Sequence, residues 1–523
     1  MAKKLIIDGK EITARDDATV IQAAHEAGMV IPHYCYHPKL SIAGNCRMCL
    51  VEIEGRPKLE ISCNTPVADD MVVHTDSARV VEGRRGVLEF LLINHPLDCP
   101  ICDQAGECGL QDYYMQYGLY RSRFQEEKVH KRKVIDFGPD IVFDGERCIL
   151  CTRCVRFTQE ISKTNELGVF HRGDAVEIAT FPGKTLDNKY AGNTVDVCPV
   201  GALTSKDFRF KIRVWFLQET KSVCAGCARG CNINIHHHQG RVYRFKPRHN
   251  DAVNETWMCD EGRFSYKAIN DNRLLHPMLR QGEALAQTSW QEAMQRVRAA
   301  LQQHKGEATA VVVTPQGTNE DCYLLARLTA DVLGTSRVLL YAGEPGYEDD
   351  FLIRADKHPN RRGAQDVGLP APTTAADLAS LAQAIVQGAV KILYAIDTDL
   401  VAAFGAETLA RLATHLDCLM VQSANALPGW EQAHVVLPSA IYAERDGTFT
   451  NFQGRVQRLN AAFAPRGEAL PAWQIYQRLA QSLGQVWTYA STEAILTDLA
   501  AVIPGYHGLS YAKVGDLGQL VGT

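Results

Sequence analysis

The chain lacks any apolar run near the roughly 18 residues that a membrane span needs. Its opening, Met1-Ala2-Lys3-Lys4-Leu5-Ile6-Ile7-Asp8, is too briefly apolar for a signal peptide. It has no surplus of positive charge: 55 Lys and Arg against 60 Asp and Glu leave a net charge of -5. That excludes a nucleic-acid binder held by phosphate neutralisation. No Gly-x-Gly-x-x-Gly occurs, and Pro182-Gly183-Lys184-Thr185 ends like a phosphate loop but has Ile178 where its first glycine belongs. No nucleotide site is expected. The last 264 residues hold only two cysteines, Cys322 and Cys418, expected to be inert core thiols. The other 15 of the 17 lie in the first 259 residues. Without an export signal, a reducing cytoplasmic compartment is expected, where a disulfide framework is out of place. Metal ligation is the reading that remains.

At 523 residues the chain has room for about three or four domains of roughly 100–200 residues. Hydrophobic content of 46% and charged content of 22% suit a protein with real cores. Residues 1–80 read as a small mixed sheet crossed by one helix, with a hairpin turn at Asp8-Gly9 and a glycine cap at Gly28. Residues 81–140 read as mainly helical, 141–215 as a compact cysteine-bearing unit, and 216–275 as another with short strands. From 276 to 523 buried-strand runs such as Ala310–Val313 alternate with helices, one opened by the capping box Ser289-Trp290-Gln291-Glu292. This is the pattern of a doubly wound α/β domain. Residues 343–375 read as a long surface connection, and the basic stretches 121–133 and 206–213 as solvated faces.

Four ligand sets stand out. Cys35, Cys46, Cys49 and Cys63 place a close Cys-x2-Cys pair between outlying cysteines, suited to a [2Fe-2S] cluster; a four-thiolate zinc site is the alternative. His95, Cys99, Cys102 and Cys108 form the second. Three thiolates leave one iron of a cubane without a ligand, and His95 is either that ligand or an ordinary surface or core histidine. An imidazole in place of a thiolate would raise the reduction potential. In the third, Cys148, Cys151 and Cys154 are followed by Thr158 where a two-cluster ferredoxin has its fourth cysteine, and Cys198-Pro199 comes far downstream. Asn188, Ala191 and Thr194 occupy the positions that would begin a second run. These four losses delete one cluster and leave Cys148, Cys151, Cys154 and Cys198 to hold one [4Fe-4S]. The fourth set, Cys224, Cys227, Cys231 and Cys259, suits a [4Fe-4S] cluster or a zinc ribbon. The adjoining His236-His237-His238 reads as a solvated strand edge.

This ordered series resembles the large iron–sulfur subunit of bacterial respiratory complex I, NADH:quinone oxidoreductase. Local strings that carry the likeness include Gly106-Glu107-Cys108, Arg153-Cys154-Val155-Arg156 and Cys198-Pro199-Val200-Gly201-Ala202-Leu203. The resemblance covers residues 1–270. Beyond it, Arg445-Asp446-Gly447-Thr448-Phe449-Thr450-Asn451 and Gly454-Arg455-Val456-Gln457 resemble the molybdopterin oxidoreductase fold, in a shortened form.

The resemblance implies a β-grasp ferredoxin-like start, a helical His/Cys segment, a single-cubane unit, and a molybdopterin-oxidoreductase-like domain without molybdenum, tungsten or pterin. It implies an electron-transfer subunit with no complete active site of its own, peripheral on the cytoplasmic side of the membrane. The implied partners are a flavin- and NADH-binding subunit, a small [2Fe-2S] subunit and quinone-side iron–sulfur subunits. The fourth cluster is implied to lie off the main electron route. Rival readings are a relay subunit of a soluble NAD-linked hydrogenase or formate dehydrogenase, an independent molybdopterin enzyme, and a zinc-binding scaffold.

Overall fold

A computed structural model describes residues 2–522. The chain divides into two compact units between Leu217 and Gln218.

The first unit begins with strands β1 (Lys3–Ile7), β2 (Lys10–Ala14), β3 (Leu50–Ile53), β4 (Glu60–Ile61) and β5 (Met71–His74). They form one mixed sheet in the order β2-β1-β5-β3-β4. The β1–β2 hairpin closes through Asp8 and Gly9, both left-handed at φ 48° and 79°, as a two-residue turn requires. β1 then pairs in parallel with β5. Alternation along β1 sends Leu5 and Ile7 inward to meet Val20, Ile21 and Ala24 of the helix Val20–Glu26. This is the β-grasp architecture expected from the sequence.

The helix Ala78–Leu92 follows, with Arg84 fully buried. Its guanidinium donates to Tyr117 Oη (3.1 Å) and to the Leu50 carbonyl (2.9 Å), tying this helix both to the sheet and to the helix Gly109–Tyr117. Next come β6 (Ile135–Asp136) and β7 (Ile141–Phe143), the hairpin β8 (Leu167–Phe170) with β9 (Glu177–Thr180), and β10 (Leu203–Ser205). β7 is the centre of the three-stranded sheet β10-β7-β6. The basic stretches are not the plain solvated faces expected. Lys128 Nζ caps the Leu92 and Ile93 carbonyls at 2.9 and 2.6 Å, and Arg213 donates to the Cys102 carbonyl at 2.7 Å.

The second unit opens with the antiparallel sheet β11 (Gln218–Val223), β12 (Asn232–His238) and β13 (Arg241–Pro247). Here one expectation is corrected. His236 and His237 lie on the central strand, 8% and 3% exposed, and His237 Nε2 is 3.0 Å from Thr220 Oγ1. Cross-strand neighbours on both sides remove this segment from solvent.

The remainder is doubly wound. Strands β14 (Met278–Gln281), β15 (Ala284–Gln287), β16 (Thr309–Val313), β17 (Val338–Leu340), β18 (Ile392–Ile396), β19 (Cys418–Ser423) and β20 (Val435–Pro438) form one sheet, ordered β15-β14-β20-β19-β18-β16-β17. β17, β16, β18, β19 and β20 run parallel. Their side chains alternate between two cores, Val311 and Val313 joining one, Ala310 and Val312 the other. That is why these strands read as unbroken apolar runs. A last sheet joins β21 (Gly447–Thr450), β22 (Arg455–Leu459) and β23 (Gln519–Leu520).

A second correction concerns residues 343–375, expected as a surface connection. They include a helix, Arg361–Asp366, and bury Leu352, Ile353, Asn360, Ala364 and Leu369. The start of the segment, with Gly343, Pro345 and Gly346, is exposed as expected, while Pro359 and Gly363 further on are buried inside the domain.

Candidate metal centres

Cys35, Cys46 and Cys49 of the first site lie on the loop between the helix Val20–Glu26 and β3, and Cys63 lies in the turn Ser62–Asn64 just after β4. Cys35, Cys49 and Cys63 are buried and Cys46 is half-buried. Gly44 and Arg47 both adopt left-handed backbone, at φ 60° and 59°. A non-glycine residue in that region signals a loop held by its surroundings. The thiols group two and two, Cys35 against Cys46 and Cys49 against Cys63, with the Cys35 N–H also donating to Cys46 Sγ at 3.4 Å. Sharing a hydrogen bond draws Cys35 and Cys49 down and pushes Cys46 and Cys63 up. Two pairs are what two irons, each with two protein ligands, require.

The second site is built where the helix Ala78–Leu92 ends and the helix Gly109–Tyr117 begins, with Cys108 at its N-cap. His95, Cys99 and Cys108 line one groove, with Leu88, Leu110 and Tyr114 beside them. His95 Nδ1 is buried and has no hydrogen-bond partner among the described residues. Burial, helped by Arg147 and Lys128, lowers the imidazole to about 4, so at neutral pH it is in the form that can ligate. Cys102 is off that groove wall, but Cys99 and Cys102 both act electrostatically on Cys108. Cys99 is exposed.

In the third site Cys148, Cys151, Cys154 and Cys198 wall a small pocket, closed by Phe143, Ile149, Ile178 and Leu203. Leu150 and Thr152 are left-handed, at φ 55° and 59°. The Leu150 N–H donates to Cys148 Sγ at 3.4 Å. Burial pushes the Cys151 thiol up to about 11. Protein alone therefore disfavours a thiolate here, and cationic iron is the kind of group that offsets it. Where a second cluster would sit, Thr158 and Thr194 are fully buried. Their hydroxyls donate to the Val155 and Ala191 carbonyls at 2.9 and 2.6 Å, and Asn188 donates to Glu166 at 2.8 Å.

In the fourth site Cys224, Cys227, Cys231 and Cys259 wall a small pocket. Gly226 and Gly262 N–H groups donate to Cys224 Sγ and Cys259 Sγ at 3.4 and 3.3 Å. A Cβ on Gly262 would stand 2.9 Å from Cys224 Sγ, so only glycine leaves the cage open. Leu352, Ile353 and Lys357, from the segment first read as surface, complete the wall.

Among the described residues no three His, Cys, Asp or Glu side chains converge on a single-ion position. One zinc with Zn–S bonds of about 2.3 Å would draw its four sulfurs to within about 4 Å of one another. In the third and fourth sites all four cysteines line one pocket together with apolar side chains. The donor sets fit iron–sulfur clusters.

Sequence reasoning missed Gly201, which has an ordinary backbone. A Cβ there would stand 2.2 Å from Cys102 Sγ, so the Cys198-Pro199 loop of the third site also shapes the second. Its place in Cys198-Pro199-Val200-Gly201 was the only signal.

The carboxyl ends of β16 and β18, where a doubly wound sheet takes its ligand, carry a network of the protein's own side chains. Arg445 pairs with Asp321 at 3.1 Å, both buried, and donates to the Gln316 carbonyl at 3.1 Å. Trp473 N–H donates to Asp321 at 2.9 Å, and Thr314 and Thr398 hydroxyls meet at 3.2 Å.

Family models match the chain in series. Residues 4–78 match a 2Fe-2S iron-sulfur cluster binding domain. Residues 84–123 match the NADH-ubiquinone oxidoreductase-G iron-sulfur binding region. Residues 138–204 match the NADH-quinone oxidoreductase subunit 3, ferredoxin-like domain. Residues 217–271 match the molybdopterin oxidoreductase Fe4S4 domain, and 273–349 with 354–482 match molybdopterin oxidoreductase. The G subunit of the NADH-quinone oxidoreductase of Rickettsia conorii is 46% identical over 327 residues, 62% of this chain and 48% of that one. The NADH-ubiquinone oxidoreductase 75 kDa subunit of Reclinomonas americana is 41% identical over 365 residues, 68% of this chain and 52% of its own length. A solved chain of a NAD+-reducing [NiFe]-hydrogenase in the H2-reduced state aligns at 32% identity, covering 40% of this chain and 91% of that one, with a TM-score of 0.37. The chain spans about half the length of the curated relatives it matches. By the order of its domains and by these identities, the chain is a homologue of the large iron–sulfur (G) subunits of NADH-quinone oxidoreductase.

Proposed function

We propose that the chain is an electron-transfer subunit of NADH:quinone oxidoreductase. The observation that carries this is the adjacency of three ligand sets within one compact unit. Cys108 of the second site acts electrostatically on Cys198 of the third. Tyr34, fully buried, is acted on by Cys108 of the second site and Cys46 of the first.

Cys35, Cys46, Cys49 and Cys63 would hold a [2Fe-2S] cluster. His95 with Cys99, Cys102 and Cys108, then Cys148, Cys151, Cys154 and Cys198, would each hold a [4Fe-4S] cluster. Each cluster supplies one-electron acceptance and release. The protein's part is to place donors close together, exclude water and set potentials through ligand type and nearby N–H groups. His95, neutral where a thiolate would be charged, makes its site the more easily reduced. Cys224, Cys227, Cys231 and Cys259 would hold a third [4Fe-4S] cluster with a structural role. No pterin, molybdenum or tungsten is expected in the crevice where Arg445 pairs with Asp321.

Electrons would come from a flavin- and NADH-binding subunit, beside a small [2Fe-2S] subunit, and leave to quinone-side iron–sulfur subunits. Among the described residues no helix is long and apolar enough to cross a membrane, consistent with a peripheral place on the cytoplasmic side of a membrane complex. The test is iron analysis and EPR of anaerobically purified, dithionite-reduced protein. One binuclear and three cubane centres give about 14 irons. A colourless, zinc-loaded protein overturns the reading.

A further inference from the structure

Two arginines, Arg156 buried and Arg153 half-buried, stand between the ligand loops of the first and third sites. Arg156 donates through Nη2 to the Cys35 carbonyl (2.6 Å) and the Cys151 carbonyl (3.1 Å). Its Nη1 donates to the Ser41 carbonyl and its Nε to Thr152 Oγ1 (3.3 Å). One guanidinium is thus bonded to a ligand residue of each site. Arg153 lies on the same helical turn and donates to the Val197 (3.3 Å) and Tyr36 carbonyls. The negative groups that act on it are Cys151, Cys35 and Cys46.

Every acceptor these two side chains have is neutral. A guanidinium does not give up its proton inside a protein, and a buried charge without a counter-charge is strongly unfavourable. Elsewhere in this unit Arg147, beside the second site, meets Asp98 at 2.8 Å and Asp144 at 3.3 Å, while Arg84, with no carboxylate partner among the described residues, donates only to Tyr117 Oη and the Leu50 carbonyl. Around Arg153 and Arg156 the nearest carboxylate, Glu160, is one residue removed, accepting from the Ser41 N–H at 2.8 Å, and the ligand loops of both sites are in direct contact with the guanidinium groups. A cluster held by four thiolates is a net anion in both oxidation states and more negative once reduced.

We propose that Arg153 and Arg156 are shared counter-charges of the binuclear cluster and of the Cys148 cubane. They are positioning residues that lock the two ligand loops to one another and raise both reduction potentials together. A fixed positive charge in a low-dielectric interior favours the added electron on either side of it. The His95 site, with its own compensated Arg147, is not part of this coupling. The proposal rests on the iron–sulfur reading above.

The experiment is an EPR-monitored redox titration of the full chain, purified without air, with iron quantified for each variant. In Arg156→Gln and in Arg153→Gln the midpoint potentials of the binuclear and Cys148 signals both fall, and the His95 signal does not move. Arg156→Lys, which keeps the charge, returns both potentials towards the parent values. Arg153→Gln leaves the Arg156 bridge in place, so it reads the shift even where Arg156→Gln fails to assemble. A shift in only one signal, in neither, or equally in all three overturns the proposal. Absence of clusters from the parent protein overturns the iron–sulfur reading instead.

Discussion

At the scale of single residues, the sites are decided by what burial does to titratable groups. His95 is held neutral by desolvation and by the cations Arg147 and Lys128, so no proton competes for its nitrogen near pH 7. The buried thiols are disfavoured as thiolates in protein alone; Cys259, for example, is pushed up to about 12. These groups look costly until something cationic is placed among them. The imidazole's effect is measurable. His95→Cys restores a four-thiolate set and adds one negative charge, and its midpoint potential is expected to fall by on the order of 100 mV. An EPR titration in which that signal stays in place would count against His95 as a ligand.

At the scale of elements, the loops between cysteines carry the information that spacing alone does not. In the Cys46–Cys49, Cys148–Cys151 and Cys151–Cys154 turns the left-handed residues are Arg47, Leu150 and Thr152 rather than glycines. Nothing in their side chains announces this, because the surrounding fold imposes it. The cysteine spacings, the Asp8-Gly9 hairpin and the apolar runs of the parallel sheet were legible, since each depends on local pattern. The course of residues 343–375 and the burial of His236 and His237 were not, because both depend on partners distant in sequence. The same holds for Gly201, whose importance comes from Cys102, nearly a hundred positions earlier in the chain. In Gly201→Ala the new methyl group must displace that sulfur. The expected outcome is loss of about four irons, with the EPR signals of the other three sites retained; unchanged iron content would refute the contact.

At the scale of the whole molecule, the division between Leu217 and Gln218 separates three candidate clusters from the fourth. The first unit has cores of its own, one under the β-grasp sheet and one gathered around Cys108, Cys151, Cys154 and Cys198. Residues 1–217 expressed alone are therefore expected to fold and to retain about ten irons on the cluster stoichiometries. Iron analysis and near-UV circular dichroism of that fragment check the point, and an unfolded, iron-free product would contradict it.

The wall that Leu352, Ile353 and Lys357 contribute around Cys224 and Cys259 also sets an order in time. These residues leave the ribosome well after the last of the four cysteines, so the cage is synthesised open and shut later by its own downstream chain. A cluster inserted during that interval is expected to exchange more slowly once Leu352, Ile353 and Lys357 have packed beside it, which iron-chelation rates of the loaded chain would check.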